Sequence, residues 1–146
     1  MKTPDRKTIL VPVDFSRYSN KAFLQALELA MCTGGQVYLI HVLDTDLITG
    51  LPHISSKEEY LQRWRKRSEE KLRRLYVKHQ DDGVKIEISL REGKPYQCIL
   101  EAADEFKADM IVMGSRGRTG LTRALFGSVA ERVTRLCKVP ILLIKQ

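Results

Sequence analysis

Asp109-Met110-Ile111-Val112-Met113-Gly114-Ser115-Arg116-Gly117, followed after nine residues by Gly127-Ser128-Val129-Ala130, is the stretch on which the fold turns. Asp109 to Met113 is a short, nearly unbroken apolar run, as expected of a strand buried on both faces. Gly114 and Gly117 then turn the chain, and Val129, Ala130, Val133 and Leu136 recur at helical spacing. A buried strand that passes through a glycine-rich turn into a helix is one βα unit of an open α/β sheet. The turn lies beyond the strand's carboxyl end, where such sheets bind ligands.

Reading outward, the same alternation continues in both directions. Downstream, Pro140 opens a last strand, Ile141 to Ile144. Upstream, Gly93-Lys94-Pro95 opens a helix with Ile99, Ala102, Ala103 and Phe106 facing inward; proline suits a first helical turn because its missing N–H would be unpaired there anyway. Val84 to Leu90 alternates strictly, which predicts a strand with one wetter face near a sheet edge. Thr8 to Val13 is a continuous apolar strand, ended near Pro12 because proline cannot donate a ladder bond. Ser16 or Ser19 caps the next helix, whose inner face is Ala22, Phe23, Ala26, Leu27 and Ala30 and which stops at Gly34-Gly35. Gln36 to Val42 is the second strand. Asp44 to Ser56 reads as a loop, long enough to suggest a functional role. Lys57 to about His79 is the longest helix, with an apolar face of Tyr60, Leu61, Trp64, Leu72, Leu75 and Tyr76. Glu59–Arg63, Glu69–Arg73 and Glu70–Arg74 support it as acid-before-base pairs. The alternation predicts a parallel sheet with helices on both faces and right-handed crossovers, in one domain over residues 1–146.

Composition excludes several classes. No apolar run is long enough to span a membrane, and Ile9 to Val13 is too short for the core of a signal peptide, so a cytoplasmic protein is expected. Cys32, Cys98 and Cys137 form no metal-type or disulfide-type pattern and are expected to be buried thiols. The net charge of +7 invites a polyanion, either a nucleotide or a nucleic acid. No nucleic-acid motif supports the second. The basic run Arg63 to Arg67 is interleaved with apolar positions and reads as a solvated helix face.

The chemistry concentrates at the glycines. Without Cβ atoms, Gly114 and Gly117 let backbone N–H groups approach an anion. Gly127-Ser128 falls at a helix start, where free N–H groups and the helix dipole favour phosphate, and the Ser128 hydroxyl adds a donor. Arg116, Arg118 and Arg123 supply positive charge. The Walker pattern and the dinucleotide fingerprint are both absent. Asp14, at the end of the first strand, reads as a ligand contact that can also cap the first helix. His41 reads as packed rather than catalytic, His53 and His79 have no evident partner, and Trp64 reads as core or interface rather than a base-stacking platform.

Gly114-x-x-Gly117, nine residues, then Gly127-Ser128 resembles the ATP-binding signature of the universal stress protein family. The resemblance extends over the chain, through Val11-Pro12-Val13-Asp14-Phe15-Ser16, His41-Val42 and Val139-Pro140-Ile141-Leu142-Leu143-Ile144. It implies a Rossmann-like sheet of five parallel strands in order 3-2-1-4-5, with Asp14 and Gly114 flanking one crevice. It implies an ATP site, Mg²⁺ accompanying the phosphates, formed by Pro12, Val13, Asp14, Val42, Met113, Gly114, Arg116, Gly117, Gly127, Ser128 and Val129. Asp14 would bond adenine or ribose, and Val42 would meet adenine through its backbone. It further implies a homodimer paired through Ile141, Leu142, Leu143 and Ile144, an apolar edge strand that needs cover. The expected function is an ATP-holding stress-response regulator. The alternatives are a slow ATPase or nucleotidyl transferase and, further off, a basic nucleic-acid-binding module. No base or nucleophile is evidently aimed at the phosphates.

Overall fold

The computed structural model describes residues 6–50, 56–117 and 126–145. Five strands, β1 (Thr8–Pro12), β2 (Gln36–Asp44), β3 (Lys85–Gly93), β4 (Met110–Gly114) and β5 (Ile141–Ile144), form one sheet in the order β3-β2-β1-β4-β5. Every pairing is parallel, with Thr8 opposite Gln36, Gln36 opposite Lys85, Ile9 opposite Met110 and Ile111 opposite Ile141. This is the order and orientation that the resemblance implied.

The helices are α1 (Arg17–Thr33), α2 (Thr45–Thr49), α3 (Lys57–His79), α4 (Pro95–Glu105) and α5 (Ser128–Leu136). Alternate residues of the central strands feed two cores. Ile9, Val11, Val37, Leu39 and Val112 pack with α1 and with Leu72 of α3. Leu10, Ile40, Ile111 and Met113 pack with α4 and α5. Both faces are covered, so β1 and β4 read as unbroken apolar runs and not as alternating ones.

Ser16, not Ser19, is the N-cap of α1: its hydroxyl accepts from Ser19 N–H at 3.2 Å. The Ser19 hydroxyl turns back to accept from Asp14 N–H at 3.2 Å. Gly34 ends α1 at φ 69°, in the left-handed region that glycine enters without strain.

Three expectations need correcting. First, β2 continues to Asp44, and the segment read as a loop from Asp44 begins with α2, whose first N–H groups are capped by the Asp44 side chain. Five residues are too few to display a helical period, so sequence pattern alone missed it. Residues 51–55 of that segment, His53 among them, lie outside the described residues. Second, α3 packs its apolar face only in part. Leu72 is buried and Leu75 and Tyr76 pack on the core, but Tyr60 is 43% exposed. The amino-terminal half of α3 runs past the core and is tied to β3 by the Arg65–Glu92 ion pair. Third, Cys98 is buried, and burial pushes its thiol pKa up, but Cys32 is exposed on the outer side of α1 and Cys137 is half-buried. No described helix is long and apolar enough to cross a membrane.

Candidate functional site

The β1–β4 ladder registers Ile9 with Met110 and Leu10 with Ile111. From β1 the sheet continues to β2 on one side, and from β4 to β5 on the other. The carboxyl ends of β1 and β4 therefore flank the topological switch point of the sheet. A cavity of about 290 Å³ lies there, lined by all eleven residues that the sequence singled out, from Pro12, Val13 and Asp14 through Val42, Met113, Gly114, Arg116 and Gly117 to Gly127, Ser128 and Val129. Residues from four elements and two loops are brought together.

Asp14 is held by its own turn. Its Oδ1 accepts from Ser16 N–H at 2.9 Å, while Ser16 takes over the capping of α1. Between them Phe15 adopts φ 66°, a conformation that costs a residue with a Cβ about 1 kcal/mol or more. Packing holds it there: the Phe15 ring centroid lies 4.5 Å from that of His41, and Lys71 Nζ sits over the Phe15 ring, 5.4 Å from its centroid. His41 in turn donates from Nδ1 to the Val13 carbonyl at 2.6 Å, since a carbonyl can only accept. His41 is thus a buried brace between β2 and the end of β1.

The three glycines differ in what requires them. A Cβ on Gly114 would stand 2.9 Å from Tyr18 Cβ and 3.1 Å from Ser19 N, so this glycine lets α1 lie close against β4. That is a packing reason for a glycine at this position. A Cβ on Gly117 would stand 2.9 Å from Asp14 Oδ2, across the cavity floor. Gly127 is the N-cap of α5, with no side chain to satisfy the first turn. Its own N–H is spent on the Ser115 carbonyl at 2.7 Å. The first intrahelical bond runs from Glu131 N–H to Gly127 O, at 2.9 Å. Helix geometry therefore leaves the N–H groups of Ser128, Val129 and Ala130 without an intrahelical acceptor, at the positive end of the α5 dipole. The free N–H groups of α5 begin one residue later than Gly127 itself.

The cavity also has walls that sequence pattern did not single out as site residues: Ser19, Ile40, His41, Asp44, Leu47, Trp64, Pro95, Ile99 and Ala130. His41 and Asp44 were within reach, being neighbours of Val42 at the end of β2. Nothing in the local sequence points to Trp64, which reaches the cavity only because α3 overhangs the core. Arg116 is half-buried at the α5 side of the cavity. Arg118 and Arg123 lie outside the described residues. Among the described residues no cluster of His, Cys, Asp or Glu is arranged to hold a metal ion.

The profile of the universal stress protein family matches residues 5–145. The chain belongs to that family. Its relatives include the universal stress protein MJ0531 of Methanocaldococcus jannaschii, 39% identical over 140 residues that cover 96% of this chain and 82% of the relative. Universal stress protein G of Salmonella typhimurium is 31% identical over 145 residues, covering 95% of this chain and 99% of the relative. Universal stress protein MJ0577 of Methanocaldococcus jannaschii is 29% identical over 154 residues. The solved structure of MJ0577 superimposes with a TM-score of 0.86, 28% identity and 96% coverage of each chain. The family's five-stranded parallel architecture is therefore the architecture of this chain, and its switch-point cavity is the place to look for function.

Proposed function

We propose that this universal stress protein binds ATP in the switch-point cavity and acts as a nucleotide-dependent regulator. The observation that carries the reading is the gathering of the glycine-spaced loop, the α5 amino-terminus and Asp14 around one cavity. The lining carries Arg116 and the α5 amino-terminus on one side, and Val42, Leu47 and Trp64 beside His41 and Asp44 on the side of β2, α2 and α3, which suits a ligand with an anionic tail and an aromatic head. At about 290 Å³ the cavity stands at the lower end of small-molecule sites, and the reading seats the nucleoside in it with the phosphates directed to the N–H groups of Ser128 to Ala130. Asp14 is the acceptor for ribose or adenine, and Mg²⁺ accompanies the phosphates rather than occupying a protein cage.

A regulator is favoured over an enzyme because, among the described residues, the cavity offers donors for an anion without an evident catalytic pair. Asp14, its central carboxylate, already accepts the Ser16 N–H through Oδ1. Binding donors without an aligned base give affinity, not rate. A homodimer through β5 is part of the proposal: β5 is an edge strand, and Leu142 leaves its apolar side chain 37% exposed there. The test is the ligand retained by purified protein, identified by mass, together with calorimetric titration of ATP in the presence of Mg²⁺. Recovery of an adenine nucleotide, or saturable ATP binding, is expected. No retained nucleotide and no binding up to millimolar ATP would overturn the reading.

A further inference from the structure

We propose that Leu47 and Trp64 form the outer wall of the base end of the cavity, and that Trp64 sets a preference for purine over pyrimidine nucleotides. This rests on the nucleotide reading above and names the specificity determinant of the same site.

The wall is built from two elements whose positions are set elsewhere. α2 is pinned by the Asp44 cap at one end and by Ile48, which is 5% exposed. The next residue back, Leu47, is 63% exposed, yet it borders the cavity. A large apolar side chain left in water at a cavity rim is one that a ligand's apolar face would cover. α3 is pinned by Leu72 in the core and by the Arg65–Glu92 ion pair to β3. This leaves Trp64, half-buried, as the residue of its overhanging half that lines the cavity. Tyr60, one turn earlier, backs it at 6.4 Å between ring centroids.

The opposite end of the cavity holds Arg116 and the α5 amino-terminus. A nucleotide with its phosphates at α5 therefore has its base toward β2, α2 and α3. There Leu47 offers apolar area and Trp64 an indole ring, beside the polar side chains of His41 and Asp44. Such a surface discriminates by ring area: a bicyclic purine overlaps an indole more than a pyrimidine does. Inorganic polyphosphate, with no base, gains nothing from the wall.

Trp64 is the single tryptophan of the chain, so its emission reports this one place. The full chain is titrated calorimetrically with ATP, UTP and inorganic tripolyphosphate, and the emission of Trp64 is followed with ATP. ATP is expected to change the emission. Trp64→Ala is expected to weaken ATP about ten-fold, the scale of losing one base–aromatic stack, UTP by a smaller factor, and tripolyphosphate less than about two-fold. Trp64→Leu, which keeps apolar bulk but removes the indole ring, should shift the three ligands in the same order and decides the matter should Trp64→Ala fail to fold. ATP binding with unchanged emission, or equal losses for all three ligands, overturns the wall while leaving the ATP site standing. No ATP binding by the wild-type chain overturns both.

Discussion

Gly117 faces the Asp14 carboxylate so closely that a Cβ on it would stand 2.9 Å from Oδ2. The two residues are more than a hundred positions apart in sequence, and the contact joins the β1–α1 turn to the glycine loop. It gives a first prediction. In Gly117→Ala the obstructed atom is the tip of a flexible side chain, so the fold accommodates the methyl group by moving the Asp14 carboxylate. Thermal stability should fall by less than about 1 kcal/mol. ATP affinity should fall roughly ten-fold as Asp14 leaves its position. Calorimetry and a melting curve on the same sample check both halves.

Gly114→Ala should do the reverse. The added Cβ meets Tyr18 Cβ at 2.9 Å and Tyr18 backbone carbon at 3.0 Å, atoms that move only if α1 moves. A loss of about 1–3 kcal/mol is expected, the scale of overpacking in a tight core. Denaturant unfolding measures it; an unchanged midpoint would contradict the close α1–β4 packing.

Gly127→Val separates binding from folding more cleanly. Gly127 has φ −69°, which any residue adopts, and a Cβ there meets nothing nearer than 3.5 Å. The chain should fold, while the branched side chain crowds the N–H groups at the start of α5 and lowers ATP affinity by roughly ten-fold or more. A folded variant that binds ATP as the wild type does would remove the phosphates from α5.

The dimer prediction falls on Leu142. Leu143 packs with Ile141 on the α4–α5 core, whereas Leu142 is 37% exposed at the sheet edge. Leu142→Lys should raise the monomer fraction in light scattering with little change in melting temperature of the isolated fold. A wild-type chain that is monomeric at micromolar concentration would exclude pairing through β5.

Turnover should be slow. Single-turnover assays with pre-bound ATP are expected to show hydrolysis slower than about once per second, below the usual range of dedicated enzymes. Faster hydrolysis that is lost on Ser128→Ala would make the site catalytic.

How much was legible in advance depended on the range of the interaction. The five strands and four of the helices carry their own periods, and their alternation leads to a parallel sheet. The glycine spacing from Gly114 to Gly127 marks the loop at a strand's carboxyl end. α2 escaped notice because one turn of helix held by the Asp44 cap has no period to read. Trp64 reads as core or interface from sequence because its spacing matches Leu72 and Leu75 along the helix. The register of α3 against the sheet is invisible locally, and it carries that part of the helix past the core.

The amino-acid sequence by itself thus determined the α/β class, the strand and helix succession, and the glycine-spaced loop, because backbone propensity, apolar period and turn chemistry act between near neighbours. Tertiary structure alone decided which glycine serves packing and which faces Asp14, that the Gly127 N–H is spent on Ser115, and that Leu47 and Trp64 border the cavity. Those facts depend on how elements distant in the chain approach each other, and close packing of whole elements sets that approach at the scale of a single methyl group.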